Sequence, residues 1–315
     1  MILSVSRRTD IPAFYSDWFF NRIEAGYVDV RNPMNIHRVS RVKITPDVVD
    51  CIVFWSKNPK PMLSRLDRLS QYQYYFQFTL NPYDQHIEKE VPLKRNIFDT
   101  FRELSEKIGK ERVIWRYDPI LISDKIDVNY HIKYFEEIAK RISGYSERCV
   151  ISFVDLYKKV VSNVSALNIR EPNSDEIEKL VSALVPIAAS YGFTVQSCAE
   201  HIDLSGFGIS HGACIDPLLI SHLIGHSIHV HKDKNQRKEC GCTESIDVGE
   251  YNTCQHYCAY CYANFNCGMV SRKIEKHNPK SSLLIGELQE SDIVKERKVI
   301  SLKTKTLFCN CQQRY

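Results

Sequence analysis

The chain has 315 residues, of which 43% are hydrophobic and 25% are charged, and its formal net charge at pH 7 is +4. This length suffices for one large α/β barrel or for two ordinary domains, and the composition is that of a globular protein. So small a positive charge does not by itself indicate a nucleic-acid-binding protein.

The sequence carries no signal for export or for membrane insertion. The start, MILSVSRRTD, is apolar for only three residues before polar and charged residues follow, so we expect no signal peptide. No stretch approaches the roughly 18 consecutive apolar residues of a transmembrane helix. We therefore expect a cytoplasmic protein without a membrane partner.

Apolar runs rich in β-branched and aromatic residues predict strands that are buried on both faces, as in a parallel sheet. The runs are MILSVS (1–6), DCIVFWS (50–56), YYFQFTL (74–80), RVIWRYD (112–118), RCVISFVD (148–155) and GFTVQSCAE (192–200). Helical spacing between them predicts helices over 96–109, 129–142 and 174–192. Ser174 fits an N-cap and Gly109 a C-cap.

Strands that alternate with helices indicate βα units with right-handed crossovers. No glycine-rich G-x-G-x-x-G turn follows a strand, which argues against a dinucleotide-binding fold. We predict an α/β fold, a (partial) TIM-type βα barrel of about six parallel strands with a cysteine-rich C-terminal segment. Residues 1–230 would form the barrel units, and residues 231–315 would carry the cysteines and pack on the barrel mouth, in a single structural unit.

Polar residues follow the predicted strands, where a barrel has its functional face. Each one taken singly fits a helix cap or a turn, but the set favours a shared site at the mouth. The set comprises Arg7, Arg8, Asp10, Ser56, Lys57, Asn58, Thr79, Asn81, Arg116, Asp118, Asp155, Cys198 and Glu200.

Twelve cysteines are many for a protein of a reducing compartment, and they are unevenly distributed. Cys51 and Cys149 stand alone in apolar runs and fit small buried hydrophobes. Ten follow from Cys198 onward, several of them in pairs or triplets, which indicates metal binding rather than disulfides.

The stretch YNTCQHYCAYCYANFN (251–266) places Cys254, Cys258 and Cys261 in a C-x3-C-x2-C pattern. Three thiolates on a [4Fe–4S] cluster leave one iron open to a small molecule. A zinc ion with a fourth ligand, such as His256, Cys267 or Cys242, is the alternative, and unliganded thiols are a third reading.

The triplet, with Tyr260 before its last cysteine, resembles the cluster loop of the radical S-adenosylmethionine superfamily, and CQHYCAYCYA is similar to that of the spore photoproduct lyase-like branch. FWSKN (54–58), FQFTLN (76–81) and RVIWRYDPIL (112–121) resemble strand ends of the same branch. There the cysteine loop comes first, so the order here looks circularly permuted, and ESIDVGEY (244–251) would supply the strand before the loop. Nearly the full length also resembles the DUF1848 family.

The resemblance implies a radical enzyme in which a [4Fe–4S] cluster on the three cysteines reductively cleaves S-adenosylmethionine. The resulting 5′-deoxyadenosyl radical would abstract hydrogen from the substrate. Lys57 would pair with the methionine carboxylate, Ser56, Thr79 and Arg116 would contact methionine or ribose, and Tyr260 would pack near the adenine. Lys57, Arg116 and Asp118 are the candidate catalytic residues. The glycine-rich segment that contacts the amino group in many members is missing.

A second set of thiols comprises Cys198, Cys214, Cys240 and Cys242, which reach the same mouth from three places in the chain. They would hold an auxiliary iron–sulfur cluster or a zinc ion. Alternatively, Cys198 and Cys214 are buried thiols, one of which donates a hydrogen atom. Cys309 and Cys311 fit an exposed tail as well as a ligand pair.

The partners that we expect are a small-molecule or nucleotide-like substrate and an electron donor such as flavodoxin or ferredoxin. The resemblance suggests a nucleic-acid base or a nucleoside-like molecule as the substrate. An alternative is a zinc-stabilised nucleic-acid-binding protein without catalysis, which would use the basic loop HVHKDKNQRKE (229–239). A third hypothesis is a zinc enzyme that uses Asp216 and the histidines of SHLIGHSIHVH (221–231).

Overall fold

The computed structural model of the chain describes residues 1–156 and 164–304. The strands of this part are β1 (Ile2–Val5), β2 (Tyr27–Asn32), β3 (Asn35–Lys43), β4 (Cys51–Ser56), β5 (Tyr74–Thr79), β6 (Val113–Ile120), β7 (Arg148–Phe153), β8 (Thr194–Ser197), β9 (Ser210–His211), β10 (Ile246–Asp247) and β11 (Ile293–Arg297). The α-helices are α1 (Ile11–Phe14), α2 (Ser16–Ala25), α3 (Lys94–Ile108), α4 (Val128–Ile142), α5 (Ser174–Ser190), α6 (Pro217–Ile224) and α7 (Cys267–Ile274).

Within these residues, eight strands form one parallel sheet in the order β10-β1-β4-β5-β6-β7-β8-β9. All six predicted strands and all three predicted helices are present, and the α/β class is confirmed. The sheet exceeds the predicted six strands by β9 and β10, which have two residues each and are too short to form an apolar run. Closure of the sheet into a TIM-type barrel stays a prediction.

The two edges of this sheet approach each other through the loops that adjoin β9 and β10. Thr243 donates its backbone N–H to Ile215 O over 3.2 Å. Gly241 packs so closely against Gly212 that a Cβ atom at position 241 would lie 3.0 Å from Gly212 O. These contacts pack the segment that follows β9 against the segment that precedes β10.

The sheet is buried on both faces, as its continuous apolar strands predict. Because side chains alternate along a strand, Ile52 and Phe54 of β4 join the core beneath the long helices, whereas Cys51 and Val53 join a second core. The second core contains apolar residues of α6 and several cysteines. A smaller sheet in the order β11-β3-β2 was not expected, because its strands lack apolar runs.

Residues 231–304 contribute a strand to each sheet, since β10 lies in the main sheet and β11 in the small one. The strand predicted within 244–251 is confirmed as β10, which pairs in parallel with β1 through Leu3–Ile246 and Ser4–Asp247. Cys309 and Cys311 lie outside the described residues.

Two local predictions need correction or comment. The N-cap of α5 is Asn173 rather than Ser174, because Asn173 and Glu176 form a reciprocal capping box. Helix α6 ends at Ile224 with Gly225 in the left-handed conformation, so His226 lies beyond the helix that carries His222. In the described part of the chain, no helix is long and apolar enough to cross a membrane.

Candidate functional site

The loop that carries the three cysteines starts beside the C-terminal end of β1. Asp247 of β10 fixes this position, because its carboxylate accepts hydrogen bonds from Ser4 Oγ (2.8 Å), Ser6 Oγ (2.5 Å) and the backbone N–H of Arg7 (2.9 Å). Gly249 leaves no room for a side chain, since a Cβ atom there would lie 2.0 Å from Ser6 Oγ. A segment near the C-terminus is thereby seated against the first strand.

Asp10, directly after β1, joins the cysteine loop to the neighbouring strand end. Its Oδ2 atom lies 2.8 Å from His256 Nε2 and accepts the backbone N–H of Lys57 over 2.7 Å. Its Oδ1 atom caps α1 by accepting the N–H of Ala13 over 3.0 Å. Three separate chain segments thus meet on one buried carboxylate.

Residues 87–90 form the other wall of the loop. Ala259 donates its N–H to Ile87 O over 2.8 Å, Glu90 donates its N–H to His256 O over 3.1 Å, and an antiparallel bridge joins Glu88 to Cys258. The backbone of the loop is therefore fixed from both sides, which limits how far its cysteines can move.

Lys57, Glu88 and Tyr260 form a buried polar cluster beside Cys258. Lys57 Nζ lies 2.8 Å from both Glu88 Oε1 and Tyr260 Oη, and Tyr260 donates its hydroxyl to Glu88 over 2.5 Å. Burial alone would raise the pKa of Glu88, but Lys57 and Lys94 outweigh it and lower that pKa to about 2. The structure therefore brings together two predicted site residues, Lys57 and Tyr260, with Glu88, which sequence reasoning missed.

Burial raises the pKa of all three thiols of the loop. The charges of Cys261, Asp10 and Cys258 raise the pKa of Cys254 further, so the three sulfurs lie within electrostatic reach of one another. At Cys258 the ammonium of Lys57 opposes burial, and the pKa is raised to about 12. The groups are thus neutral at pH 7, and holding them as thiolates requires added positive charge.

The surroundings of the loop fit an inorganic centre with a polar ligand. Backbone N–H groups aim at the sulfurs, since that of His256 lowers the pKa of Cys254 and those of Ala263 and Asn264 lower the pKa of Cys261, in each case against the larger effect of burial. His256 Nδ1 and Asn264 Oδ1 are buried without a hydrogen-bond partner in the described structure. Buried polar atoms normally have partners, so these atoms indicate that a further group belongs here.

A single-ion site is not preformed. No group of three or more His, Cys, Asp and Glu side chains in the described residues is placed to hold one metal ion. A [4Fe–4S] cluster makes a different demand, because each of its thiolates binds a separate iron. Of the suggested fourth zinc ligands, His256 is bound to Asp10, and Cys267 is exposed at the start of α7.

The remaining predicted site residues are distributed around this loop. Ser56 is buried and its Oγ accepts the N–H of Asn58 over 3.0 Å, as in a turn cap. Thr79 is half-buried at the end of β5. Arg116 reaches the other way, into the second core, where it pairs with Asp118 and donates from Nη1 to Cys214 Sγ over 2.6 Å.

The four cysteines of the second set are brought together in that core. Cys198 Sγ lies 3.0 Å from Cys214 Sγ. Cys242 lies close enough to both Cys214 and Cys240 for their thiols to affect its pKa. The four thiols therefore lie in the same core, and metal binding by them stays a prediction.

A cleft of about 890 Å³ opens next to the cysteine loop, between it and the β2–β3 hairpin. Tyr251 and Phe265 stack in its wall with ring centroids 6.3 Å apart. The guanidinium of Arg8, directly after β1, lies 5.2 Å from the Tyr251 ring centroid. Aromatic faces with a cation suit a planar ligand that carries negative charge.

Comparisons with known proteins give one family and little beyond it. The family model described as a domain of unknown function, DUF1848, matches residues 2–263. No curated protein sequence matches the chain. A crystal structure from Bacteroides thetaiotaomicron, described as a candidate alpha-L-fucosidase, aligns at 13% identity and a TM-score of 0.27, over 71% of this chain and 80% of that one. So low a score supports no conclusion about fold or activity.

Proposed function

The chain belongs to the DUF1848 family, and from that premise we propose that it is a radical S-adenosylmethionine enzyme with a [4Fe–4S] cluster on Cys254, Cys258 and Cys261. One observation carries the proposal: a C-terminal strand, β10, pairs with β1 and delivers the three thiols to the carboxyl ends of β1 and β4. In parallel α/β sheets the functional residues lie at the carboxyl ends of the strands. These ends are also the place that the permuted order of the motifs requires.

When bound, the cluster supplies the electron that cleaves S-adenosylmethionine to a 5′-deoxyadenosyl radical, which abstracts hydrogen from the substrate. The protein contributes binding, orientation and exclusion of water. Burial would lower the pKa of Lys57, but Glu88 and the other negative groups outweigh it and raise that pKa. Lys57 therefore stays a cation at neutral pH, as its proposed bond to the methionine carboxylate requires.

Other proposed contacts to S-adenosylmethionine depend on rearrangement. Tyr260 packs edge-on against Tyr83, with ring centroids 5.9 Å apart, and would pack near the adenine. Ser56 and Arg116 already have partners within the protein, so contacts to methionine or ribose would have to replace those bonds. Thr79 is less enclosed than Ser56 and Arg116, because it is only half-buried at the end of β5.

The cleft beside the loop is the proposed substrate site. Its stacked rings and Arg8 favour a planar, anionic molecule, in keeping with a nucleotide-like substrate. An electron donor such as flavodoxin or ferredoxin would reduce the cluster.

Metal analysis tests the proposal at its first step. We expect anaerobically reconstituted protein to be brown and to bind about four irons and four sulfides at the loop. Cys258→Ala should lose this set while keeping the far-ultraviolet circular dichroism of the wild type. Cys267→Ala, which alters an exposed thiol outside the triplet, is the matched control and should lose none. A loop that binds stoichiometric zinc and no iron would contradict the proposal.

A further inference from the structure

The second group of cysteines comes from the two edges of the main sheet. Cys198 directly follows β8, and Cys214 lies beyond β9, whereas Cys240 and Cys242 precede β10. Cys214, Cys240 and Cys242 are buried, and Cys198 is half-buried. Cys198 Sγ and Cys214 Sγ are 3.0 Å apart, and Cys242 lies within electrostatic reach of Cys214 and Cys240.

The surroundings of these sulfurs suit thiolates. Arg116 Nη1 donates to Cys214 Sγ over 2.6 Å, and Ile215 donates its backbone N–H to Cys242 Sγ over 3.4 Å. Arg7 lies close enough for electrostatic interaction with Cys242, Cys214 and Cys240. Hydrogen bonds and cations stabilise negative sulfur, and a core of purely structural thiols has no need of them.

The backbone around the thiols is also tied down. Tyr75 Oη and Gln77 Nε2 both donate to the carbonyl of Cys214, over 2.6 and 2.9 Å. Gly241, between the two cysteines of the C-G-C pair, packs directly on Gly212. Four thiols are thus brought together from three segments that are each fixed to the sheet, but in this arrangement no three of them are placed to hold one metal ion.

We propose that Cys198, Cys214, Cys240 and Cys242 form a second metal centre, held by four thiolates and separate from the cysteine loop. A tetrathiolate set takes thiophilic metals, either a zinc ion or the irons of an iron–sulfur cluster. Such a centre leaves no ligand position open, and it crosslinks the β8–β9 edge of the sheet to the segment before β10. The position of the cysteine loop would then depend on this metal centre.

Metal binding must move the sulfurs apart. Tetrahedral zinc with bonds of about 2.3 Å places its sulfurs about 3.8 Å from one another. Cys198 Sγ and Cys214 Sγ, at 3.0 Å, are closer than that, as a hydrogen-bonded thiol pair is. Zinc replaces the thiol protons, which leave to solvent, and its oxidation state does not change. An iron–sulfur cluster also displaces these protons, and its assembly from four ferric ions and four sulfides takes up two electrons, which an added dithiol supplies as it is oxidised to a disulfide.

The test uses the full chain with the three cysteines of the loop replaced, so that the loop cannot bind metal. Cys254→Ala/Cys258→Ala/Cys261→Ala is loaded anaerobically with iron and sulfide in one arm and with zinc in the other, and the metal per chain is counted. We expect about four irons in the first arm or about one zinc in the second, each lost when Cys240→Ser/Cys242→Ser is added. The loaded protein should also melt at a higher temperature than the protein treated with a chelator.

Two results would overturn the proposal: no metal in either arm, or metal that survives Cys240→Ser/Cys242→Ser. If the triple variant does not fold, Cys261→Ala leaves the loop two ligands and serves the same purpose. The outcome is independent of the proposed activity, because a second centre without S-adenosylmethionine cleavage, and cleavage without a second centre, give different metal counts and different products.

Discussion

Asp10 Oδ2 lies 2.8 Å from His256 Nε2, which joins two residues separated by 246 positions in the sequence. Both side chains are nearly inaccessible to solvent, at 5% and 2%. The bond links the end of the first strand to the middle of the cysteine loop, and the same carboxylate oxygen holds the backbone of Lys57. The position of the candidate cluster relative to its proposed cofactor contact therefore depends on Asp10.

Asp10→Asn should destabilise the protein and reduce iron binding. The carboxylate accepts from three N–H donors, and an amide turned either way presents its own NH₂ to at least one of them. A buried donor left without an acceptor costs about 1–3 kcal/mol, measurable by urea denaturation. The matched control is Asp17→Asn, at a carboxylate that is 71% exposed and paired with Arg65. Equal losses in both variants would contradict the role assigned to Asp10.

Gly249→Ala should displace the loop from β1. The new methyl carbon would lie 2.0 Å from Ser6 Oγ and 2.5 Å from Ser6 Cβ, and Ser6 bonds to Asp247 of β10. Overpacking of this kind costs about 1–3 kcal/mol, and we expect fewer irons per chain after reconstitution. Gly206→Ala, which meets no atom within 4 Å, should change neither quantity. A normal iron content in Gly249→Ala would contradict the conclusion that packing of Gly249 against Ser6 positions the loop beside β1.

Lys57→Met should weaken binding of S-adenosylmethionine while leaving the fold intact. The variant removes the ammonium, but Lys94 still pairs with Glu88 at 2.7 Å, so the buried carboxylate keeps a partner. A charge-assisted bond to the methionine carboxylate is worth about 1.5–3 kcal/mol, so calorimetry should give a dissociation constant at least about tenfold higher. Lys60→Met, at a lysine that is 58% exposed, is the control. Unchanged affinity in Lys57→Met would remove this residue from the cofactor site.

His131 should make the protein sensitive to mild acid. Its Nε2 must donate to Leu121 O at 2.8 Å, so Nδ1 accepts from Tyr117 Oη at 2.8 Å and the ring is neutral. Burial lowers the pKa of His131 to about 4, below the roughly 6.5 of an exposed imidazole. Between these values the unfolded chain binds more protons, so the free energy of unfolding falls as the pH drops from 6.5 to 4, by up to about 3 kcal/mol.

The comparison with His131→Gln isolates this contribution. The glutamine variant should be less stable at pH 7, because it cannot reproduce both hydrogen bonds, but it should lose less further stability by pH 4.5. Urea denaturation at the two pH values measures the difference. If the wild type and the variant lose the same free energy of unfolding between pH 7 and pH 4.5, His131 does not set the acid sensitivity.

The strands were readable from the sequence because each is buried on both faces and therefore continuously apolar. β10 was found only through the resemblance, since two residues such as Ile246 and Asp247 carry no periodicity. The β2–β3 hairpin was missed because its exposed positions break any apolar run. The N-cap at Asn173 was missed by one residue, because Ser174 and Asn173 are both good caps and the side-chain geometry decides between them.

The residues of the candidate site likewise divide into those that the sequence predicts and those that only the structure reveals. The cysteine triplet has a recognisable spacing, and Lys57 follows a clear strand, so both could be predicted. Glu88 lies in the polar stretch HIEKEVP, and its place in the site comes from contacts with residues distant in sequence, such as Lys57 and Tyr260, the latter 172 positions later. The hydrogen bond from Arg116 to Cys214 depends on how the second core packs, so the sequence alone does not predict it.

The most direct measurement of the central claim is the formation of 5′-deoxyadenosine. Anaerobically reconstituted wild-type protein is incubated with S-adenosylmethionine and a strong one-electron reductant, alone and with nucleotides, and the products are separated by chromatography. We predict 5′-deoxyadenosine and methionine with the wild type and neither with Cys258→Ala. A wild type that holds about four irons at the loop yet yields no 5′-deoxyadenosine under any of these conditions would contradict the account.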